Sequence, residues 1–278
     1  MKKHSWTLWL CALLILSACQ SESTSQQSTS SEAEATEENS AVQKVVLKKD
    51  PRNIGGAKSA EQLTIERAMK KIEAAENRLV GYWVGSFGKN RINIAITDIN
   101  GSEVQGHSVC AGNFRPLTGT VSEVGPATFA FELKEPGDDR YDGIFAATID
   151  LNQKRMQGAW TPYQSQGNSP KTYELAKQKF VYQPGVGEFP EGSTRILTEK
   201  DVENRMAEEL EIMRNEIYAR HGYSFKNKDM RYYFEGKDWY VPMGVDIRSQ
   251  LTEVEAQNID LIYEYESYLD EYYDDFGR

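Results

Sequence analysis

The sequence predicts an α+β multidomain protein, in which an antiparallel β-barrel-like domain of about eight strands is followed by a small all-α domain. Two patterns predict this division. Between residues 79 and 183, apolar residues alternate with polar ones, and turn residues separate the alternating runs, as in half-buried strands. After residue 196, apolar residues recur at the spacing of amphipathic helices.

The first residues, 1–18, are predicted to form a lipoprotein signal peptide. Positively charged residues precede an apolar run over residues 6–16, which is shorter than the roughly 20 residues that a transmembrane helix needs. The run closes with Leu-Ser-Ala-Cys at residues 16–19, which resembles the bacterial lipobox. The resemblance implies that Cys19 is the lipid attachment site, acylated with chains such as palmitate. The alternative is an ordinary signal peptide that contains a chance cysteine.

The next segment, residues 19–58, is predicted to be a lipidated, disordered tether. Residues 20–40 consist almost entirely of Ser, Thr, Gln, Glu and Ala, a composition that buries too little apolar area to offset the entropy of ordering the chain. An amphipathic helix is predicted over residues 59–78, because Ser59 and Gln62 fit a capping box and the apolar residues after them share one stripe.

The barrel-like domain, residues 79–183, opens with Gly-Tyr-Trp at residues 81–83, and Gly-Ala-Trp recurs at residues 158–160. A Gly-x-Trp sequence on the first strand resembles the calycin pattern of lipocalin-like and avidin-like barrels. The resemblance implies that the tryptophan closes one end of the barrel and that the glycine permits close strand approach. It also implies a small-molecule cavity inside the barrel, near Ile94 and Phe131.

A linker is predicted over residues 184–196, which are rich in Pro and Gly, and the C-terminal domain over residues 197–278. At residues 214–223 the sequence Arg-Asn-Glu-Ile-Tyr-Ala-Arg-His-Gly-Tyr resembles the YARHG domain of exported bacterial proteins. The flanking residues that agree with this resemblance are Leu197, Thr198, Asp201, Phe225, Tyr233, Phe234, Trp239, Tyr240, Pro242, Leu251, Thr252, Glu255, Asn258 and Ile259. The resemblance implies an extracellular module whose biochemical role the family leaves open.

One interpretation of this motif is structural. A capped helix is predicted from residue 198 to residue 221, with Met206 in its buried stripe. Gly222 then ends the helix in a left-handed conformation. In this interpretation a motif arginine is buried and paired with Glu211 or Glu216.

The other interpretation is a polar cluster that recognises an anionic or sugar ligand. The candidate binding residues are Arg214, Asn215, Tyr218, Arg220, His221, Trp239 and Tyr240. Arginine presents a planar fork that suits carboxylates, and the aromatic rings are of the kind that stack on sugars. Both interpretations account for the same residues.

Composition excludes several function classes. The net charge of −10 at pH 7 gives no general affinity for nucleic acid. Of the three cysteines, Cys11 leaves with the signal peptide, Cys19 takes lipid and Cys110 remains alone, so no internal disulfide is expected. The sequence has no Cys/His cluster for a metal and no nucleotide-binding fingerprint, so no metal or cofactor is expected.

The expected function is that of a non-enzymatic lipoprotein, exported and anchored to the bacterial membrane through Cys19, in the outer membrane if the cell is Gram-negative. Its expected partner is cell-wall glycan or another envelope protein. One alternative is small-molecule binding inside the barrel. A second alternative is a wall-acting hydrolase in which His221 is the general acid or base.

Overall fold

The structure is a computed structural model that describes residues 58–165, 167 and 169–272. The predicted signal peptide, Cys19 and the predicted tether up to residue 57 lie outside the described residues. None of the helices within the described ranges is both long enough and apolar enough to cross a membrane.

An eight-stranded antiparallel barrel forms the first part of the described chain, which confirms the predicted fold class. The strands are β1 Gly81–Phe87, β2 Asn90–Asn100, β3 Glu103–Cys110, β4 Asn113–Gly125, β5 Thr128–Lys134, β6 Gly143–Asp150, β7 Arg155–Pro162 and β8 Lys171–Gln178. Each strand pairs with the next in the chain, and β8 pairs with β1, so the sheet closes on itself. Closure leaves no strand with unpaired edge groups.

The barrel interior is filled by one continuous cluster of apolar side chains, to which all eight strands contribute. Ile94 and Phe131, near which the calycin resemblance implies a cavity, belong to this cluster and are buried. Trp83 lies near the start of β1, and its indole Nε1 donates to the carbonyl of Leu79 over 3.2 Å. Trp160 lies near the end of β7, and therefore at the opposite end of the barrel. Side chains thus occupy the interior from end to end.

The remaining described elements are helical. They are α1 Ala60–Glu73, α2 Glu191–Thr194, α3 Glu199–Val202, α4 Ala207–Arg220, α5 Lys228–Glu235, a short 3-10 helix Arg248–Gln250 and α6 Glu253–Tyr272. The helix α1 precedes the barrel and ends at Glu73, short of the predicted residue 78. Its N-cap Ser59 accepts a hydrogen bond from the Gln62 backbone over 3.0 Å, which is one of the two bonds of the predicted capping box. The helices α2 to α6 form the C-terminal domain around a second apolar cluster.

One helix prediction was wrong. The single helix expected from residue 198 to residue 221 is divided into α3 and α4, and Met206 is 70% exposed instead of buried. The Glu209 carboxylate accepts a hydrogen bond from the Met206 backbone over 2.9 Å, so a new helix starts at this point. Met206 is therefore an N-cap residue and lies outside the helical stripe.

Candidate functional site

The seven candidate binding residues point inward in three separate groups. Arg214 forms an ion pair with Glu266, with Nε and Oε2 2.7 Å apart, and its guanidinium lies 4.3 Å from the centre of the Tyr263 ring. Asn215 donates from its side-chain amide to the Glu211 carbonyl over 2.8 Å, which satisfies it within the helix. Tyr218 is buried in the helical core. This first group therefore fixes α4 against α6.

Arg220 and Glu216 form a second group, one turn apart on α4, and both side chains are fully buried. The Arg220 guanidinium donates to Glu216, to the carbonyls of Val186 and Phe189 over 2.8 and 2.9 Å, and to Ser193 Oγ over 2.9 Å. Of the two acids expected to pair with a buried motif arginine, Glu216 pairs with Arg220. All three guanidinium nitrogens are thus satisfied inside the protein.

The Glu216 carboxylate holds the same stretch of chain. Its two oxygens accept hydrogen bonds from the backbone amides of Glu188 and Phe189, each over 2.8 Å. The opposite charges of Glu216 and Arg220 therefore clamp residues 182–197, which we call the entry segment because it leads from the barrel into the C-terminal domain. The predicted linker 184–196 lies within this segment and is packed against the helices.

His221 belongs to the same second group, because Ser193 links Arg220 to a buried cluster centred on the Glu255 carboxylate. Its Nε2 lies 2.8 Å from Glu255 Oε2, and its ring stacks on that of Tyr182 with 4.5 Å between centres. Tyr182 and Ser193 donate their hydroxyls to Glu255 Oε1 over 2.9 and 2.7 Å. Both hydroxyls come from the entry segment, so Glu255 and His221 hold the same segment as Arg220 does.

Glu255 stays ionised in this cluster. Burial alone would raise its pKa, but the interaction with His221 and hydrogen bonds from Thr252 and Ser193 together outweigh burial, so the pKa lies below its ordinary value. The Ser193 hydroxyl donates to Glu255 and accepts from Arg220. The Ser193 hydroxyl is therefore bound to the carboxylate of Glu255. In a serine nucleophile activated by a histidine, the hydroxyl would instead donate to the imidazole.

Sequence reasoning missed the roles of Ser193, Tyr182 and Asn258. The Asn258 side chain accepts from the Leu197 backbone over 2.8 Å and donates to the carbonyls of Gly192 and Arg195 over 2.9 and 2.7 Å. The sequence showed Asn258 only as one of the flanking residues that agree with the YARHG resemblance. Its partners were not visible, because they lie about 60 residues away along the chain.

Gly222 ends α4 in the left-handed region, with φ of +75°, as predicted. The amide of Tyr223 donates back to the Tyr218 carbonyl over 3.1 Å, which satisfies the end of the helix. A Cβ at Gly222 would lie 2.7 Å from the Met243 side chain. The glycine of the motif is therefore required by both backbone conformation and space.

Trp239 and Tyr240 form the third group, next to the barrel. Tyr240 is buried and donates its hydroxyl to the Tyr223 carbonyl over 2.8 Å, while Trp239 is half-buried with its ring 6.2 Å from that of Phe234. The backbone carbonyls of Lys237 and Tyr240 accept from Arg91 of β2 over 2.7 and 2.6 Å. This stretch therefore docks the C-terminal domain on the barrel.

The docking face extends along the outer surface of β1, β2 and β3. The Asn93 side chain donates to the Pro242 carbonyl over 3.0 Å, and the backbone amide of Gly112 donates to Ser224 Oγ over 2.9 Å. An apolar cluster of Tyr82, Val84, Ala95, Val241 and Met243 fills the space beside these bonds. Barrel and C-terminal domain are thus joined by a continuous buried contact.

His107 of β3 lies on the same outer face, because it pairs with Ala95 in the sheet. It is buried beside Phe114, with 5.1 Å between ring centres. Burial lowers the pKa of His107 from 6.5 to about 4, so the imidazole is neutral at pH 7. Protonation would place a charge at a buried position on the outer face of the barrel.

Acid is therefore expected to weaken the fold through His107. The unfolded chain binds this proton more tightly than the folded one, so the contribution is present above pH 6.5 and is lost as the pH falls towards 4. Between about pH 7 and about pH 4, the free energy of unfolding of the wild type should fall by about 3 kcal/mol relative to His107→Gln. Urea denaturation of both proteins at each pH measures this difference. If the free energies of unfolding of the two proteins differ by the same amount at pH 7 and at pH 4, His107 does not titrate in this way.

These contacts define the class of protein: an eight-stranded barrel to which a helical domain is docked, with a clamped entry segment between them. Residues 188–267 match the YARHG domain family, so the chain contains a YARHG domain. The match begins before the boundary predicted at residue 197 and includes most of the entry segment. No curated protein and no solved structure matches the chain.

Proposed function

We propose that this protein is an extracytoplasmic envelope lipoprotein, anchored through Cys19, that acts as a non-enzymatic binding module for cell-wall glycan or an envelope protein. Three features support the proposal. The lipobox-like sequence precedes a long polar segment, the YARHG domain is consistent with an extracytoplasmic module, and the YARHG domain is docked on the barrel. The protein would therefore present a single folded unit to its partner.

The observation that carries the proposal is the direction of the motif side chains. The polar groups of Arg220, His221 and Asn215 bond to the protein's own chain. We therefore assign these residues to positioning: Arg220 and His221 hold the entry segment, Asn215 is satisfied within α4, and together they fix the shape of the outer surface. Recognition of a partner is assigned to that outer surface, which the barrel and the YARHG domain build together.

A fractionation experiment tests both parts of the proposal. The wild-type chain should sediment with membranes and incorporate labelled palmitate, whereas Cys19→Ala, which keeps every other residue, should incorporate none, because it lacks the thiol that is acylated. The fragment that begins at Ser21, which lacks both the apolar run and Cys19, should be soluble. This soluble fragment is then mixed with isolated sacculi and centrifuged. Saturable pelleting would identify wall glycan as the partner.

Two results would contradict the proposal. If Cys19→Ala incorporates palmitate as the wild type does, the lipid anchor is wrong. If the soluble fragment neither pellets with sacculi nor cross-links to an envelope protein in cell extracts, the binding role is wrong. The fragment centrifuged without sacculi is the control for non-specific pelleting.

A further inference from the structure

Four aromatic rings meet at the end of the barrel where β7 ends and β8 begins. They belong to Phe87, Phe145, Trp160 and Tyr173, and we call them the aromatic corner. The rings of Phe87 and Trp160 stand at 83° to each other with their centres 5.9 Å apart. Two ring faces at right angles form the walls of a corner that a compact cation fits, because each face carries negative potential.

A cation of the chain itself lies in this corner. The Nζ of Lys171 is 4.9 Å from the centre of the Phe87 ring and 5.0 Å from that of the Trp160 ring. Both distances are within the range in which an ammonium is attracted to a ring face. Lys171 thus shows which chemical group the corner accepts.

A hydrogen bond to a buried acid strengthens the attraction of the Trp160 indole for a cation. Its Nε1 donates to the carboxylate of Glu135 over 2.8 Å, and Glu135 is buried at this end of the barrel. A hydrogen bond to a carboxylate increases the electron density of the indole ring, and so strengthens its attraction for a positive charge. The corner therefore combines two ring faces with a buried acid behind one of them.

The opposite end of the barrel provides a comparison. There Lys177 lies over Trp83, with 5.6 Å between Nζ and the ring centre, and Nζ donates a hydrogen bond to the Arg78 carbonyl. Lys177 is thus fixed by the backbone next to the ring. In the described part of the chain, the contacts of the Lys171 ammonium are with ring faces.

The Lys171 side chain runs beside an exposed turn. Gly88 of this turn and Thr172 border a shallow depression on the outer surface of the barrel, which is also lined by the exposed Ser86, Gln157 and Glu174. The Lys171 stem passes close to Gly88, since a Cβ at Gly88 would be 3.8 Å from Lys171 Cδ. The lysine can therefore leave the corner towards open space.

We propose that the aromatic corner is a binding site for an alkylammonium cation, and that Lys171 is a built-in occupant that the ligand displaces. A tethered occupant lowers the apparent affinity by the fraction of time during which it fills the site. This site is independent of the envelope role proposed above.

Ligand-observed NMR titration of the full chain in non-ionic detergent tests the proposal. The probes are n-butylammonium, which is the free equivalent of the lysine side chain, tetramethylammonium and the neutral n-butanol. The wild type should bind at least one of the two cations saturably, and Lys171→Ala should bind it about tenfold more tightly because the occupant is gone. The tighter probe shows whether the site prefers primary or quaternary ammonium ligands.

Lys177→Ala is the matched control, and it should bind the cations as the wild type does. The proposal is overturned if neither cation binds the wild type, if Lys171→Ala binds no more tightly, or if n-butanol binds as well as the cations. Should Lys171→Ala lose the native circular dichroism spectrum, Lys171→Gln, which keeps much of the stem, replaces it and is judged by the same affinities.

Discussion

Replacing Arg220 by methionine is expected to lower the free energy of unfolding by about 3–5 kcal/mol. The substitution leaves the Glu216 carboxylate charged in a site where neither side chain of the pair is exposed. It also removes the donors to Val186, Phe189 and Ser193, so the entry segment loses its main contact with α4. Urea denaturation followed by circular dichroism measures the loss.

Two further variants separate the buried charge from the lost packing. Glu216→Gln combined with Arg220→Met should recover part of the loss, because a neutral amide oxygen still accepts from the backbone and leaves no unpaired charge. Arg195→Met breaks the exposed ion pair with Asp201 and should lower the free energy of unfolding far less than Arg220→Met does. Equal losses in Arg220→Met and Arg195→Met would refute the clamp.

Replacing Trp83 by alanine is expected to destabilise the protein by about 3–5 kcal/mol. The indole is fully buried in the barrel core, and its Nε1 donor satisfies the Leu79 carbonyl. Its removal leaves a cavity at the end of the barrel and takes away the ring beneath Lys177. The shift in the urea midpoint, with the slope unchanged, gives the size of the effect.

A truncation on the surface of the same barrel is the control for Trp83. Val124 is 59% exposed in β4, so Val124→Ala should change the free energy of unfolding by about 0.5 kcal/mol or less. If Trp83→Ala is tolerated as well as Val124→Ala, the indole does not close the barrel. Such a result would remove the structural support for the Gly-x-Trp resemblance.

The sequence was sufficient to predict the barrel because each strand carries its own pattern. Ile92, Ile94 and Ile96 alternate with residues of the outer face, and all three are buried in the barrel core. A helix start with a local side-chain cap was equally visible, as at Ser59, whose Oγ accepts from the Gln62 backbone over 3.0 Å. These features depend on residues a few positions apart, which a single sequence displays.

The candidate site was harder to predict because its contacts are distant along the chain. Arg220 bonds to residues about 30 positions earlier, and Glu255 to Ser193, which is 62 positions earlier. The Pro and Gly content of residues 184–196 is typical of a linker, yet their carbonyls and amides are the groups that the motif binds. No local pattern shows that a loop-like stretch will be held by a buried charge pair.

The docking of the two domains is chemically asymmetric. The barrel contributes side chains, Arg91 and Asn93, whereas the YARHG domain contributes backbone carbonyls of residues 237, 240 and 242. A carbonyl is present whatever side chain its residue carries. At these three positions, mutations can accumulate without removing an acceptor, whereas β2 must keep the matching donors. The bond from the Gly112 amide to Ser224 Oγ is reversed, since there the YARHG domain supplies the side chain. The selective pressure to preserve the contact at β2 over evolutionary time therefore falls mainly on the barrel.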